Sequence, residues 1–486
     1  MGLNTQSLSK LFCYAALVIG VLLVFLLPAQ KVIWYDESIS VLCSKGISYG
    51  SSAQFSGRDT ILSGQVAELN NFSDVYTATV RDNANSFLYN IGLHWFTDLF
   101  GNTLTVYTVF SKLLALCTLL AFFVLSRRLM GYHLFTGVAI LMLVANGVFF
   151  GMSHEVRAYM MGMLFSLLTG LAVFRTLREG PRPGKVLIAS LCAVAAILCH
   201  FLSVYIIITL FIFLLIVGKR KLFSVTNIFA MVAPALILAV YFYKALEGLK
   251  IMQGQNNRIA TKVAGTASEF SLGKVVTESL RLMSLDFSIE LVSFASQYLL
   301  VIVASFAIVV VLFGWAFKVT KDSAVRLNLL FLFCTGISGG LFLAALCMRS
   351  GHMTAIYGRY HSFGVPFATL FSVYALYVIS QNVMGRGRYM HMLLSMLVII
   401  PSVFYFARVA NALPASDRYN QNKVADAIAG NHADRVVVPH IRHAFLIQCF
   451  LPQETNVAYI IDSTATQFTL YTPSGVQKMN ILADPE

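Results

Sequence analysis

Charge is scarce in this sequence, and negative charge most of all. Asp and Glu number 22 against 35 Lys and Arg, and the four types together make only 12% of 486 residues. Hydrophobic residues make 58%, and the mean hydropathy is +0.74. Such a chain is too long for one simple soluble core and too apolar for two, which excludes an ordinary soluble protein. The net charge of +13 does not point to nucleic acid, because the basic residues are scattered among short segments between apolar runs. Metal and nucleotide signatures are missing: there is no HExxH, no CxxC, and no GxxxxGK followed by Ser or Thr. Cysteine forms no framework. Cys13, Cys117, Cys192, Cys199 and Cys334 fall within apolar runs, where a thiol acts as a small hydrophobe. Cys43 and Cys449 lie outside the runs, and no spacing rule pairs them. Internal repeats and low-complexity tracts are also absent.

What the chain does have is long apolar runs. At ~20 residues per crossing, they fall at about 11–28, 104–125, 133–151, 157–175, 186–200, 202–217, 225–244, 293–317, 328–348, 361–383 and 392–409, roughly eleven spans. The first follows Lys10 and exceeds the ~7–15 apolar residues of a signal peptide, so it reads as a retained span. With a cytoplasmic N-terminus, the inner loops are short and basic: Arg127 and Arg128; Arg175, Arg178, Arg182 and Lys185; Lys219, Arg220 and Lys221; Lys318, Lys321 and Arg326; Arg386 and Arg388. Merging 186–217 into one span moves the basic 318–326 and 386–388 loops outside, against the charge bias. The expected fold is therefore an all-α polytopic membrane protein with a small external α/β domain at its C-terminus.

The outer side receives the long segments: 29–103, 245–292 and the tail from 410 to 486. Residues 1–409 read as one transmembrane domain and 410–486 as an external one. Asn85 to Phe100 carries apolar residues at helical spacing and ends at Gly101, which predicts an amphipathic surface helix. Lys274–Met283 reads the same way. In the tail, Lys423–Ala429 reads as helix and Arg435–Val438 and Asn456–Ile461 as strands.

Four polar groups recur at the outer ends of spans. Asp36 and Glu37 follow the first span, flanked by the interfacial residues Trp34 and Tyr35. They are either solvated loop carboxylates or a general base for a hydroxyl. Ser153-His154-Glu155-Val156-Arg157-Ala158-Tyr159 is either a turn with a local ion pair or a second wall of the same cavity. His200 sits between two short spans, as a structural histidine or a ligand. Arg349, His352, Tyr357, Arg359, Tyr360 and His361 are either interfacial anchors or, because Arg is disfavoured outside, a site for an anion such as phosphate.

These same residues resemble the motifs of GT-C fold glycosyltransferases. Tyr35-Asp36-Glu37 after the first span resembles the acidic motif of their first external loop. Asn85 to His94 resembles their HPPLYYLLLH-like segment, with Asn85-Ser86-Phe87 in place of His-Pro-Pro. His154 to Tyr159 resembles their QEARMY segment, Cys199-His200-Phe201 their THYF element, and Arg359-Tyr360-His361 with Pro366 their late RY…P segment. The elements occur in the family's order across 34–366.

The resemblance is to bacterial relatives of protein O-mannosyltransferases and lipid A aminoarabinose transferases. It implies an inverting enzyme of the bacterial inner membrane, with the N-terminus cytoplasmic and the C-terminus periplasmic. Such an enzyme moves a sugar from a polyprenyl-phosphate carrier to an acceptor hydroxyl on a glycan or lipid-linked glycan. The missing motifs call for no cofactor and no nucleic acid, and leave a divalent metal as the one open alternative. Asp36 is the implied base, with Glu37 its nearest rival and Glu155 a third catalytic carboxylate. Arg157 and Arg359 are implied to hold the lipid phosphate, with His154, Tyr159, His200, Arg349, Tyr360, Asn85 and His94 lining the substrate site. The short basic inner loops, long first outer loop and external tail with Lys478 near its end are similar in layout to serotype-converting O-antigen glucosyltransferases of temperate phages.

Two other readings fit a polytopic chain. A transporter or flippase for a lipid-linked or anionic solute calls for ionisable residues at mid-membrane depth, and the apolar runs hold almost none. An O-antigen polymerase or ligase calls for a large outer loop between late spans, whereas the large loops here are early, central and terminal.

Overall fold

The computed structural model describes residues 5–27, 35–47, 60–62, 72–81, 85–263, 271–288, 299–350, 358–383, 427–438, 447, 458–461, 467–473 and 475–480. Among these, eight helices are long and apolar enough to cross a membrane, or nine counting one bent pair. They are α1 (Thr5–Leu26), α5 (Leu104–Met130), the bent pair α6 (Leu134–Ala145) and α7 (Gly147–His154), α8 (Tyr159–Glu179), the 3-10 turn Phe201–Ser203 with α10 (Val204–Leu222), α11 (Val225–Val263), α13 (Leu299–Val319), α14 (Ser323–Ser350), and the 3-10 turn Gly358–Gly364 with α15 (Val365–Val383). The shorter apolar helix α9 (Pro183–Cys199) packs along α8. The first ten expected spans all fall on these helices, and 392–409 lies outside the described residues. His200 separates α9 from α10, so 186–217 is two helices.

Local chemistry sets the breaks. Thr103 Oγ1 accepts the Val106 N–H to start α5, and Gly131, at φ 69°, closes it with its N–H on the Arg127 carbonyl. Asn146 divides the third span. Its Oδ1 accepts the N–H groups of Val148 and Phe149, capping α7, and the helix pair bends by 60° there. Pro183 at the first turn begins α9.

The core runs along α15, where Val365 to Ala375 are all buried. Peripheral helices instead expose apolar side chains, such as Leu11, Val18 and Leu22 on α1 and Phe229, Leu236 and Val240 on α11. In water this pattern is costly; against lipid it is the expected outer surface. Small residues let helices approach closely. A Cβ on Gly162 of α8 stands 2.7 Å from the Phe363 ring, and one on Gly336 of α14 stands 3.0 Å from the Ala368 backbone.

The expected surface helix is α4 (Phe87–Phe100), with Tyr89, Leu93 and Thr97 buried and Trp95, Leu99 and Phe100 exposed. The second is α12 (Leu272–Asp286). Two further helices precede α4: α2 (Tyr35–Ser44) and α3 (Phe72–Arg81). The acidic pair therefore stands in the first turn of a helix rather than in a loop.

The tail strands β2 (Arg435–Val438) and β3 (Ala458–Ile461) pair in parallel, as Val436 opposite Tyr459. They are joined by the hairpin β4 (Gln467–Thr472) and β5 (Gly475–Asn480). Residues 427–430 are helical, and the earlier part of the expected tail helix lies outside the described residues. The first outer loop also contributes β1 (Thr60–Leu62), antiparallel to β3, so the sheet order is β1-β3-β2-β4-β5. The sheet thus draws on two expected segments, 29–103 and the tail. Cys449 lies outside the described residues.

Candidate functional site

Helix α2 acts as a bracket. Glu37, Ser40 and Ser44 recur at i, i+3 and i+7, the spacing of one helical face. Glu37 is fully buried and its Oε1 accepts the Val156 N–H at 2.6 Å. Ser40 Oγ accepts from Arg157 Nη1 at 3.2 Å. The Ser44 carbonyl lies 3.0 Å from His94 Nδ1, and buried Lys45 donates to Thr97 Oγ1 at 2.9 Å. One end of the bracket holds the turn between α7 and α8; the other holds α4. Asp36 lies on the first turn of α2, and its side chain is outside the described residues.

The turn after α7 is held from a second side, because Ser111 Oγ on α5 donates to the Glu155 carbonyl at 2.7 Å. Val156 and Ala158 are buried, and the half-buried Arg157 places its guanidinium 5.8 Å from the Tyr159 ring centre. Buried Tyr89 lies among Glu37, Ser111, Glu155 and Arg157, and burial holds its phenol well above the usual tyrosine range. His154 is bound within its own helix, with Nδ1 2.9 Å from the Phe150 carbonyl.

A third group gathers at His200. Asn85 Oδ1 accepts two backbone N–H groups, from Ser86 at 3.0 Å and Phe201 at 3.2 Å, which fixes its amide with Nδ2 3.4 Å from His200 Nε2. Ser86 adopts φ 67° to make this corner, a conformation uncommon for a residue with a side chain. His200 Nδ1 accepts the Leu202 N–H at 3.2 Å. Its ring lies 4.9 Å from Tyr159, 5.3 Å from Phe363 and 6.4 Å from Tyr360. Burial, then the positive charges of Arg157 and Arg359, hold the imidazole down to about 3, so it stays neutral at ordinary pH.

Both guanidiniums therefore act on one ring, although Arg157 and Arg359 come from opposite halves of the chain. Arg359 sits on the 3-10 turn, 5.3 Å from the Tyr360 ring centre. Tyr205 donates to the Tyr360 carbonyl at 3.4 Å, and Phe363 fills the space above Gly162. The result is two cations beside a neutral, aromatic-walled imidazole. This arrangement suits an anion with an attached apolar or sugar group.

Arg157, Tyr159, His200, Arg359, Tyr360 and Asn85 are thus brought together, and Glu37 is joined to them through Val156. Glu155 contributes its carbonyl to the same turn. His94 joins α4 to α2 and lies 3.4 Å from Asp98, while Arg349 is exposed in the last turn of α14. Neither shares the contacts around His200. Ser40, Tyr89 and Ser111 join the site without having been expected. Ser40 had a signal in its i+3 spacing from Glu37, and Tyr89 in its place on the apolar face of the 85–100 segment; Ser111 had none. Among the described residues, no three His, Cys, Asp or Glu side chains come together as a metal site.

No protein-family model matches the chain, and no curated protein matches it in sequence. Solved structures do match. ArnT from Cupriavidus metallidurans bound to undecaprenyl phosphate superposes with a TM-score of 0.52 at 12% identity, over 93% of this chain and 87% of that one. The apo state of ArnT from the same organism gives 0.51 at 13% identity, over 91% and 84%. The likeness shows the fold. It is the GT-C fold that the resemblance had implied.

Proposed function

We propose that this protein is an inverting membrane glycosyltransferase. It transfers a hexose such as glucose from a polyprenyl-phosphate carrier to a hydroxyl of O-antigen or another cell-envelope glycan, on the periplasmic face of a bacterial inner membrane. The observation that carries this reading is the convergence of Arg157 and Arg359 on the neutral, aromatic-walled His200 within a GT-C fold. Such a site attracts a phosphate, and the exposed apolar side chains of the peripheral helices suit a polyprenyl tail lying in the lipid. The ArnT structure bound to undecaprenyl phosphate supports the carrier class.

In the proposed reaction the acceptor hydroxyl approaches the amino end of α2. Asp36 takes its proton as the oxygen attacks the anomeric carbon from the face opposite the phosphate. The C–O bond to the phosphate breaks and the carrier leaves as a phosphate monoester. A single displacement inverts the anomeric centre. Arg157 and Arg359 stabilise the charge that grows on the phosphate, the role of preorganised cations in a site that excludes water. Glu37 already accepts the Val156 N–H, which favours a bracing role over that of base. On this reading residues 1–409 form the catalytic membrane domain and 410–486 an external domain.

The test is transfer of labelled glucose from polyprenyl-phosphate glucose to the native glycan by the purified full chain, with the anomeric configuration of the product determined. An inverted product is expected. A retained configuration, or uptake of the lipid without transfer, contradicts the proposal.

A further inference from the structure

The carboxyl end of α12 belongs by sequence to the long second outer loop, yet Leu282 to Asp286 and the following Phe287 and Ser288 are all buried inside the bundle. Asp286 presents both carboxylate oxygens to His361 Nδ1 at 2.7 Å, and both side chains are essentially inaccessible. His361 lies two residues beyond Arg359 on the same 3-10 turn. On the other side, Asn146 Nδ2 donates to the Leu285 carbonyl at 2.9 Å and reaches Ser288 Oγ at 3.2 Å. The same amide caps α7 through its Oδ1, and α7 leads directly to Arg157. Thr369 and Ser372 on α15 complete the corner. Thr369 Oγ1 lies 3.3 Å from the Asp286 carbonyl and 3.1 Å from Ser288 Oγ, and Ser372 donates to the Phe287 carbonyl at 2.7 Å. Ser288 takes φ 57° to turn the chain there.

A helix end that needed only burial would present apolar groups. Burying a carboxylate is costly unless it is paired, and here burial raises the Asp286 carboxyl while His361 opposes the rise. The glycines of α14 clear the space: a Cβ on Gly339 stands 3.0 Å from His361 Cβ, and one on Gly336 stands 2.9 Å from the Phe287 ring. Packing, polar bonds and backbone conformation all converge on four residues, 285–288.

We infer that residues 285–288 are the positioning corner of the two-arginine site, holding the turn that carries Arg359 through Asp286 and His361 and the helix that leads to Arg157 through Asn146. Asp286 and His361 are positioning residues: they act on the site through Arg359. The purpose given to the corner rests on the phosphate reading above, whereas its mechanics do not.

Two measurements on the purified full chain separate these. The first is amide hydrogen exchange without any ligand. Asp286→Leu should speed exchange at 358–364 at least tenfold while α8 and the sheet stay as in wild type. Asp286→Asn keeps an oxygen for the Nδ1–H and should restore most of the protection. Thr369→Val is a milder variant in case Asp286→Leu does not fold, and should give a smaller rise in the same peptides. Unchanged exchange at 358–364 in Asp286→Leu and Thr369→Val, or an equal rise throughout the chain, overturns the inference. The second measurement is binding of polyprenyl phosphate. Asp286→Leu should weaken it about tenfold in wild type and hardly at all in an Arg359→Ala background, because a missing guanidinium cannot be misplaced. Equal losses in both backgrounds overturn the positioning role. A wild-type chain that binds no polyprenyl phosphate overturns the phosphate reading, and the exchange result then decides the corner alone.

Discussion

The two ends of the bundle use polar residues in opposite ways. At the end that carries Glu179, charges pair with one another at the surface. Glu179 meets Lys185 at 2.7 Å, Arg175 at 3.2 Å and Arg128 at 4.0 Å, with all but Lys185 substantially exposed. Pairs of this kind contribute about 0–1 kcal/mol. At the end that carries Arg157, polar groups are buried or half-buried and each joins segments far apart in sequence. Glu37 holds Val156, Asn85 holds Phe201, Ser111 holds Glu155 and Asp286 holds His361. Polar contacts thus carry different meanings at the two ends. The first set satisfies a basic rim, and the second fixes the geometry around two cations.

Substitutions should expose this asymmetry. The largest loss is expected from Asp36→Asn, which keeps the shape and removes the base. Sugar transfer should fall by ~10²–10⁴ with insertion unchanged. Activity near wild type would return the acidic pair to the role of helix-start carboxylates. Next comes Glu37→Ala, which leaves the buried Val156 N–H without its acceptor at a cost of ~1–3 kcal/mol. Glu37→Gln keeps an acceptor oxygen and should be much milder in both thermal stability and turnover. A Glu37→Gln variant as inactive as Asp36→Asn would move the base to Glu37.

His200 supplies a pH test. Its ordinary value of 6.5 falls to about 3 in the folded chain. Between those values the unfolded chain binds a proton that the folded chain refuses, so stability is full above about pH 6.5 and falls as pH drops. His200→Gln should flatten that decline when thermal unfolding is followed at about pH 7.5 and about pH 5. An unaltered decline would place the acid sensitivity elsewhere. The smallest effect is expected from Glu179→Gln at the other end: stability within about 1 kcal/mol of wild type and unchanged transfer. A large loss there would erase the contrast between the ends.

Much of this fold is legible in the sequence because its signals are local. Apolar runs separated by basic loops mark the membrane helices, and the spacing of Tyr89, Leu93 and Thr97 marks the buried face of α4. The convergence of Arg157, His200 and Arg359 follows from motif order, since each stands at a span end on the same side. What stays hidden depends on distant partners. Nothing near Asp286 signals a bond to His361, 75 positions later, and nothing near Ile61 signals pairing with Tyr459. The role of Glu37 was hidden for a similar reason. Adjacent carboxylates look equivalent in sequence, and only the fold shows Glu37 accepting a backbone N–H at 2.6 Å.

The central claim is that the Arg157 end, and not the basic rim, holds the lipid phosphate. Its most direct test is the affinity of the purified chain for polyprenyl phosphate in four forms: wild type, Arg157→Ala, Arg359→Ala and Arg127→Ala. A charged hydrogen bond to phosphate contributes about 1.5–3 kcal/mol, so each of the first two substitutions should weaken binding roughly ten- to a hundredfold. Arg127→Ala, on the exposed rim, should leave it unchanged. Equal affinity in wild type, Arg157→Ala and Arg359→Ala, or a loss confined to Arg127→Ala, would contradict the account.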